Sequence, residues 1–170
     1  MMKPYFEDAE NWRRAKVVLD SWMGTPYRHL WMKKGRGADC SLFIGAWLME
    51  LGIIKEVIHD FYPPDWYFHK KVEVIKEVFS KNIATQMNAD FDLQLIPVDA
   101  VEAGIQLMRG DMLTFCMVPE TGVSNHAGIL LDPPNKFVHS IQGRGVSLMQ
   151  FGSFWLSKMT SVYRVVYHGV

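Results

Sequence analysis

The sequence predicts an α+β fold, with helices in the first half of the chain and an antiparallel sheet in the second. Three observations carry that prediction. Apolar residues recur three or four apart over residues 8–22 and again over 40–51, the spacing of helices. After Gly110 the rhythm changes to short strand-like segments, mostly bounded by Gly, Pro, Asn or Asp. Helices followed by strands, rather than alternating with them, imply an antiparallel sheet.

The first helix is expected over 8–22. Ala9, Trp12, Ala15, Val18, Leu19 and Trp22 form its apolar stripe, with Arg13, Arg14 and Lys16 between them. Gly24, Pro26, Gly35 and Gly37 then mark a long loop ending at Asp39. The second helix is expected over 40–51. Leu42, Phe43, Ile44, Ala46, Trp47 and Leu48 make it apolar nearly all round, as a central buried helix should be. Asp39 is a good N-cap, and Gly52 sits where a helix-ending glycine belongs. Pro63 and Pro64 precede Asp65, a second cap, after which Phe68, Val72, Ile75 and Phe79 keep helical spacing. Residues 85–109, punctuated by Pro97, read as mostly loop with a short strand or helix. Strands are expected at 112–118, 126–131, 136–140, 146–150 and 161–167, with a turn over 132–135.

Composition narrows the function classes. The chain has 170 residues, the size of one domain (1–170), and folding at that length buries roughly 70% of the unfolded surface. Lys plus Arg is 18 and Asp plus Glu is 18, so the net charge of zero gives no footprint for nucleic acid or an anionic membrane. The longest apolar run, 42–49, is too short to span a bilayer, so no membrane insertion is expected. Residues 1–10 contain Lys3, Glu7 and Asp8 and no apolar h-region, so no Sec signal is read there and a cytoplasmic protein, as made, is expected. Two cysteines, Cys40 and Cys116, cannot build a disulfide framework and fit reduced thiols.

Cys40 is the most informative residue. In the first turn of a buried helix, unpaired N–H groups and the positive dipole end favour a thiolate, the nucleophilic form. The plain alternative is a buried core cysteine. His126 opens an apolar strand after a polar stretch, where an imidazole faces a cleft and can take a thiol proton; its alternative is an ordinary edge histidine. His139 lies thirteen residues on. If the two strands form a hairpin, it is placed to orient the His126 ring. A cysteine on an early helix and a histidine on a later strand is the papain-like arrangement. Cys116, sharing a strand face with Met112 and Thr114, reads as structural. Asp111 reads as turn or cap, and Lys33, Lys34 and Arg36 as a solvated loop. A zinc site from Cys40, Cys116, His126 and His139 lacks the close Cys or His pairs such sites use, so no metal and no cofactor is expected.

At this point the chain resembles the NlpC-type cell-wall cysteine peptidases, the NlpC/P60 superfamily. The resemblance is carried by Gly24-Thr25-Pro26-Tyr27-Arg28, Asp39-Cys40-Ser41, Gly110-Asp111-Met112-Leu113-Thr114-Phe115, His126-Ala127-Gly128-Ile129 and Phe137-Val138-His139, in the family's order. Pro64-Asp65-Trp66, Gly143-Arg144-Gly145-Val146 and Tyr163-Arg164-Val165 are similar to features of its bacteriophage and gene-transfer-agent branch.

The resemblance implies a papain-like cysteine peptidase core with Cys40 as nucleophile, His126 as general base and His139 as its orienting residue. It implies that Tyr27 lies near the nucleophile and that Asp39 and Ser41 help to hold the amino end of the substrate. The implied substrates are bacterial peptidoglycan stem peptides, cut at a γ-D-glutamyl–diamino acid bond or a similar one. The implied partners are other phage tail proteins, in a virion- or tail-associated setting. Leu42 departs from the glycine usual two residues after the cysteine. The rival expectations are a non-catalytic tail-tip or wall-binding protein that kept the fold, and acyl transfer in place of hydrolysis.

Overall fold

The computed structural model describes residues 2–132 and 134–169. A two-residue strand β1 (Lys3–Pro4) and a 3₁₀ turn (Tyr5–Glu7) lead into α1 (Ala9–Ser21). The Asp8 carboxylate accepts the N–H groups of Glu10 and Asn11, which fixes where α1 begins. Trp12, Ala15 and Leu19 turn inward. A small hairpin, β2 (Met32–Lys33) with β3 (Gly37–Ala38), occupies the long loop and delivers the chain to α2 (Cys40–Glu50). Nine consecutive α2 residues, from Cys40 to Leu48, are buried, as an all-round apolar helix requires. Trp47 donates its indole N–H to the Ala15 carbonyl at 3.0 Å, which locks α1 to α2.

The expected single helix after Asp65 is broken. It forms α3 (Trp66–His69), an extended stretch, then α4 (Val74–Glu77) running into a π-helical turn (Val78–Ile83) and α5 (Ala84–Gln86). Lys70 is extended at φ −132 and ψ 126, and Asp65 pairs with His69 instead of capping. The break leaves the Glu73 carboxylate accepting the Ser124 N–H at 3.0 Å, a tie across 51 residues that a continuous helix has no means to supply.

The stretch read as mostly loop holds β4 (Phe91–Ile96) and α6 (Val98–Glu102), the latter entered from Pro97. The remaining elements are β5 (Met112–Phe115), β6 (His126–Leu130), β7 (Lys136–Ile141), β8 (Gly145–Gln150), α7 (Ser153–Lys158) and β9 (Met159–Tyr167). The expected strand over 112–118 stops at Phe115, where a register shift against β9 interrupts the ladder, and Cys116 sits partly exposed beyond it. The α7 helix lies in a gap that the sequence reading left unassigned. The expected turn at 132–135 includes Pro133, which lies outside the described residues.

Seven strands form one sheet in the order β1-β9-β5-β6-β7-β8, with β4 also on β9, and every pairing is antiparallel. The central strands β5, β6 and β7 are buried on both faces. Met112, Ala127, Ile129 and Val138 join the core under α1 and α2. Their neighbours Leu113, Leu130 and Phe137 join a second cluster closed by Trp155 of α7. Such two-sided burial erases the polar alternation of a half-exposed strand. The α+β class and the placement of α2 against a C-terminal antiparallel sheet are as expected. Among the described residues, no helix is long and apolar enough to cross a membrane.

Asp111 does more than cap. Its carboxylate accepts the Met108 N–H at 2.7 Å and pairs with Arg164 through two bonds of 2.8 Å, both groups being largely buried.

Candidate active site

Asp39 organises the start of α2. One carboxylate oxygen accepts the N–H groups of Ser41 at 3.1 Å and Leu42 at 2.8 Å, while the Phe43 N–H goes to the Asp39 carbonyl. Of these first-turn amides, the Cys40 N–H therefore lies outside the cap. The other Asp39 oxygen accepts the Leu30 N–H at 3.0 Å. Leu30 holds φ 58, a left-handed conformation that costs a leucine about 1–3 kcal/mol unless its surroundings enforce it. Ser140 of β7 donates its hydroxyl to the Ala38 carbonyl at 2.6 Å, tying the start of α2 to the sheet.

The loop carrying Tyr27 is docked just as firmly. Gly24 donates to Val146 at 2.9 Å, and Val146 donates to Thr25 at 2.8 Å. Gly145 permits this approach. It sits at φ +70, and a Cβ there would lie 2.1 Å from the Thr25 carbonyl oxygen.

The hairpin geometry brings the histidines together. Ile129 pairs with Val138 and Leu130 with Phe137, so continuing the register makes His126 and His139 diagonal neighbours on one face. The His126 Nε2 lies 2.8 Å from the His139 Nδ1, with the rings 75° apart. His139 is 0% exposed and His126 is 7% exposed. Trp155 lies beside both rings, at 5.9 Å from His126 and 5.5 Å from His139.

Tyr27, Asp39, Cys40 and His126 line one cavity of about 450 Å³. His139 stands behind His126, and Ser41, with 0% exposure, stands behind Asp39. Asp39, 2% exposed, spends its oxygens on the cap and on Leu30. Leu42 is fully buried in the helix, where the core accepts its bulk. Among the described residues, no group of three or more His, Cys, Asp or Glu side chains gathers as a metal site.

The electrostatics correct one expectation. The helix start alone favours a thiolate, and the N–H groups of Ala127, Cys40 and Ser41 do point to the sulfur. Burial outweighs them, with the Asp39 charge adding to it, and the Cys40 thiol is pushed up to about 12. Burial, and then the His139 ring, hold His126 down at about 3. Burial, and then Arg144, hold His139 at about 4. The resting pair is thus a neutral thiol and a neutral imidazole.

Sequence reasoning missed several side chains at this site. Tyr62, Trp66, Tyr67, His29 and Asn125 also line the cavity. Tyr62, Trp66 and Tyr67 carry a signal in the aromatic density around Pro63-Pro64, whereas His29 and Asn125 carry none.

No family model matches the chain, and no curated protein matches it. Solved structures do. An NLP/P60-family protein from Staphylococcus aureus, described as similar to lipoprotein, superposes with a TM-score of 0.58 at 19% identity, over 98% of this chain and 45% of that one. The chain has the NlpC/P60 fold. NlpC2 of Trichomonas vaginalis gives 0.55 at 16% identity, over 91% of this chain and 47% of that chain. An NlpC/P60-family protein of Bacillus cereus gives 0.53 at 17%, over 87% and 39% respectively. The chain spans less than half the length of each of these three NlpC/P60 structures.

Proposed function

We propose that this chain is a cysteine peptidase that hydrolyses bacterial peptidoglycan stem peptides, at a γ-D-glutamyl–diamino acid bond or a similar one, in a phage-tail or prophage setting. The observation that carries the reading is His126, backed by its bond to His139, on the wall of the same cavity that Cys40, the first residue of α2, lines. The His126 Nε2 is engaged by His139, so Nδ1 is the ring nitrogen left to take a proton.

In this reading Sγ of Cys40 attacks the amide carbonyl as its proton passes to His126 Nδ1. Because both groups rest neutral, the transfer accompanies attack and does not precede it. The Cys40 N–H, outside the cap, supports the oxyanion. His126 then protonates the leaving amine, and a thioester remains on Cys40. His126 activates water to hydrolyse it, releasing the acid and the thiol. Tyr27 faces the reacting sulfur, while Asp39 and Ser41 hold the amino end of the substrate only through the edge of Asp39 that reaches the cavity.

Digestion of purified muropeptides under reducing conditions, read by mass spectrometry, tests this. The expected products are two fragments whose masses sum to the substrate plus one water, absent with Cys40→Ala. No cleavage of any peptide chemistry by the wild type overturns the reading in favour of a tail-tip or wall-binding role. Products joined to an added amine assign acyl transfer.

A further inference from the structure

We propose, building on that peptidase reading, that Tyr62 is a specificity-determining residue. Tyr62 and Trp66 wall off one end of the catalytic cleft, and His29 latches the strap that carries Tyr62, so the acyl portion of a substrate must end there.

Three observations on separate residues support this. First, Tyr62 and Trp66 line both the catalytic cavity of about 450 Å³ and an outer cavity of about 250 Å³. The outer cavity is also lined by Phe61, Val72 and Lys81. The two hollows are separated by two aromatic rings, 6.2 Å apart and near perpendicular. Second, the strap changes sides in one step: Phe61 is 84% exposed, whereas Tyr62 is buried with its phenol beside the Ser41 hydroxyl, Asp39, Cys40 and Tyr27. An irregular segment does not bury a tyrosine against a nucleophile without something to hold it. Third, His29 supplies the hold. Its Nε2–H donates to the Tyr62 carbonyl at 2.6 Å, and its ring meets the Tyr62 ring edge-on at 5.1 Å. The next residue, Leu30, is the left-handed one pinned by Asp39. A single carboxylate thus positions both the Cys40 helix and the turn that presents the latch. Strained backbone of this kind persists where the surrounding structure over-determines it, and that is typical of functional sites.

The consequence is selection by length. A peptide whose acyl side ends beside Asp39 fits the closed cleft. One that continues, or whose amino end is blocked by a bulky group, must displace Tyr62 into the outer cavity.

The test uses the full chain with Cys116→Ser, leaving Cys40 as the single thiol. Rates of alkylation by iodoacetamide and by a fluorescein iodoacetamide are measured, and their ratio reports access rather than nucleophilicity. Tyr62→Ala is expected to raise the relative rate of the bulky reagent about tenfold, with Tyr62→Phe unchanged because the ring forms the wall. His29→Ala is expected to raise it in the same direction, and His29→Gln, which keeps an N–H donor, to restore it. Ratios within about twofold of the parent for both Tyr62→Ala and His29→Ala overturn the proposal. If Tyr62→Ala does not fold, the His29 pair decides alone. In a second arm, cleavage of free-ended peptides is compared with that of amino-blocked ones, and Tyr62→Ala should narrow the preference for free ends. Wild type that cuts neither removes the peptidase reading, while the alkylation ratio still decides the wall.

Discussion

His126 Nε2 stands 2.8 Å from His139 Nδ1, and the far nitrogen of His139, also buried, meets no partner among the described residues. One hydrogen lies between the rings, and its owner decides what His126 can do. If it belongs to His126, then Nδ1 of that ring is free to accept from Cys40, and the neutral His139 carries its own hydrogen on the orphaned Nε2. In that arrangement the buried unpaired N–H costs about 1–3 kcal/mol, and Nδ1 of His126 carries no hydrogen. His139→Ala removes the acceptor and is expected to lower kcat about 10²-fold with KM nearly unchanged. His139→Gln, whose amide oxygen can accept the same hydrogen, should recover most of that loss. Steady-state kinetics on muropeptides, with thermal midpoints as a folding control, separate orientation from stability.

The same burial makes stability depend on acid. His126 and His139 have folded values of about 3 and about 4, below the ordinary 6.5. A depressed folded value means that the unfolded chain binds more protons. The contribution is therefore full above pH 6.5 and is lost as pH falls toward 4 and 3. Urea unfolding at pH 7 and pH 5 should show a loss of about 1–3 kcal/mol on acidification. The double variant His126→Asn, His139→Asn should show a flatter profile, and an equally steep one would mean that other groups carry the acid response.

How much of this was legible in the sequence follows from physics at particular residues. Asp39, Cys40 and the apolar run behind them announced a capped, buried helix, because capping and periodicity are local. The histidine pair was legible once the hairpin was granted, since a two-fold period and a short connection fix which side chains meet. The broken helix after Asp65 was not legible. Phe68, Val72, Ile75 and Phe79 keep helical spacing, yet the break serves a tie from Glu73 to Ser124 that no local rule can register. Tyr62 escaped notice for the same reason, because its role depends on a latch 33 residues away. The thiolate expectation failed because helix-start electrostatics is a local quantity, whereas desolvation of Cys40 depends on the whole packed site.

That failure leads to a reversal of the simple reactivity order. Cys40 is buried and its thiol is pushed up to about 12, while Cys116 is partly exposed. In the free protein at pH 7, a small alkylating reagent should modify Cys116 first, and Cys40 should gain reactivity only as pH rises. The raised value of Cys40 also means that its contribution to stability is full below about pH 8.5 and is lost as pH climbs toward 12. Peptide-resolved mass spectrometry of alkylation between pH 6 and pH 10 reads both sites in one sample. Fast modification of Cys40 below pH 7 would restore a preformed thiolate.

Asp111 and Arg164 make the sharpest stability prediction. The pair joins the start of β5 to the middle of β9 through two bonds of 2.8 Å, with side-chain exposures of 1% and 12%. Arg164 also donates to the Gln106 carbonyl at 2.9 Å, and Asp111 accepts from Met108 at 2.7 Å, so the segment leading into β5 hangs on the same two side chains. Removing one partner strands a buried charge. Asp111→Ala is therefore expected to cost about 3–5 kcal/mol, a large fraction of the roughly 5–15 kcal/mol by which a folded domain is stable. Arg164→Met should cost less, because Asp111 can take up a proton once its partner is gone and keep the Met108 bond. The double variant Asp111→Ala, Arg164→Met should be less destabilised than the sum of the singles, since neither charge is left alone. Denaturant midpoints for the four proteins close the cycle. Strict additivity would mean that the two side chains act separately and that the sheet, not the ion pair, holds β5 to β9.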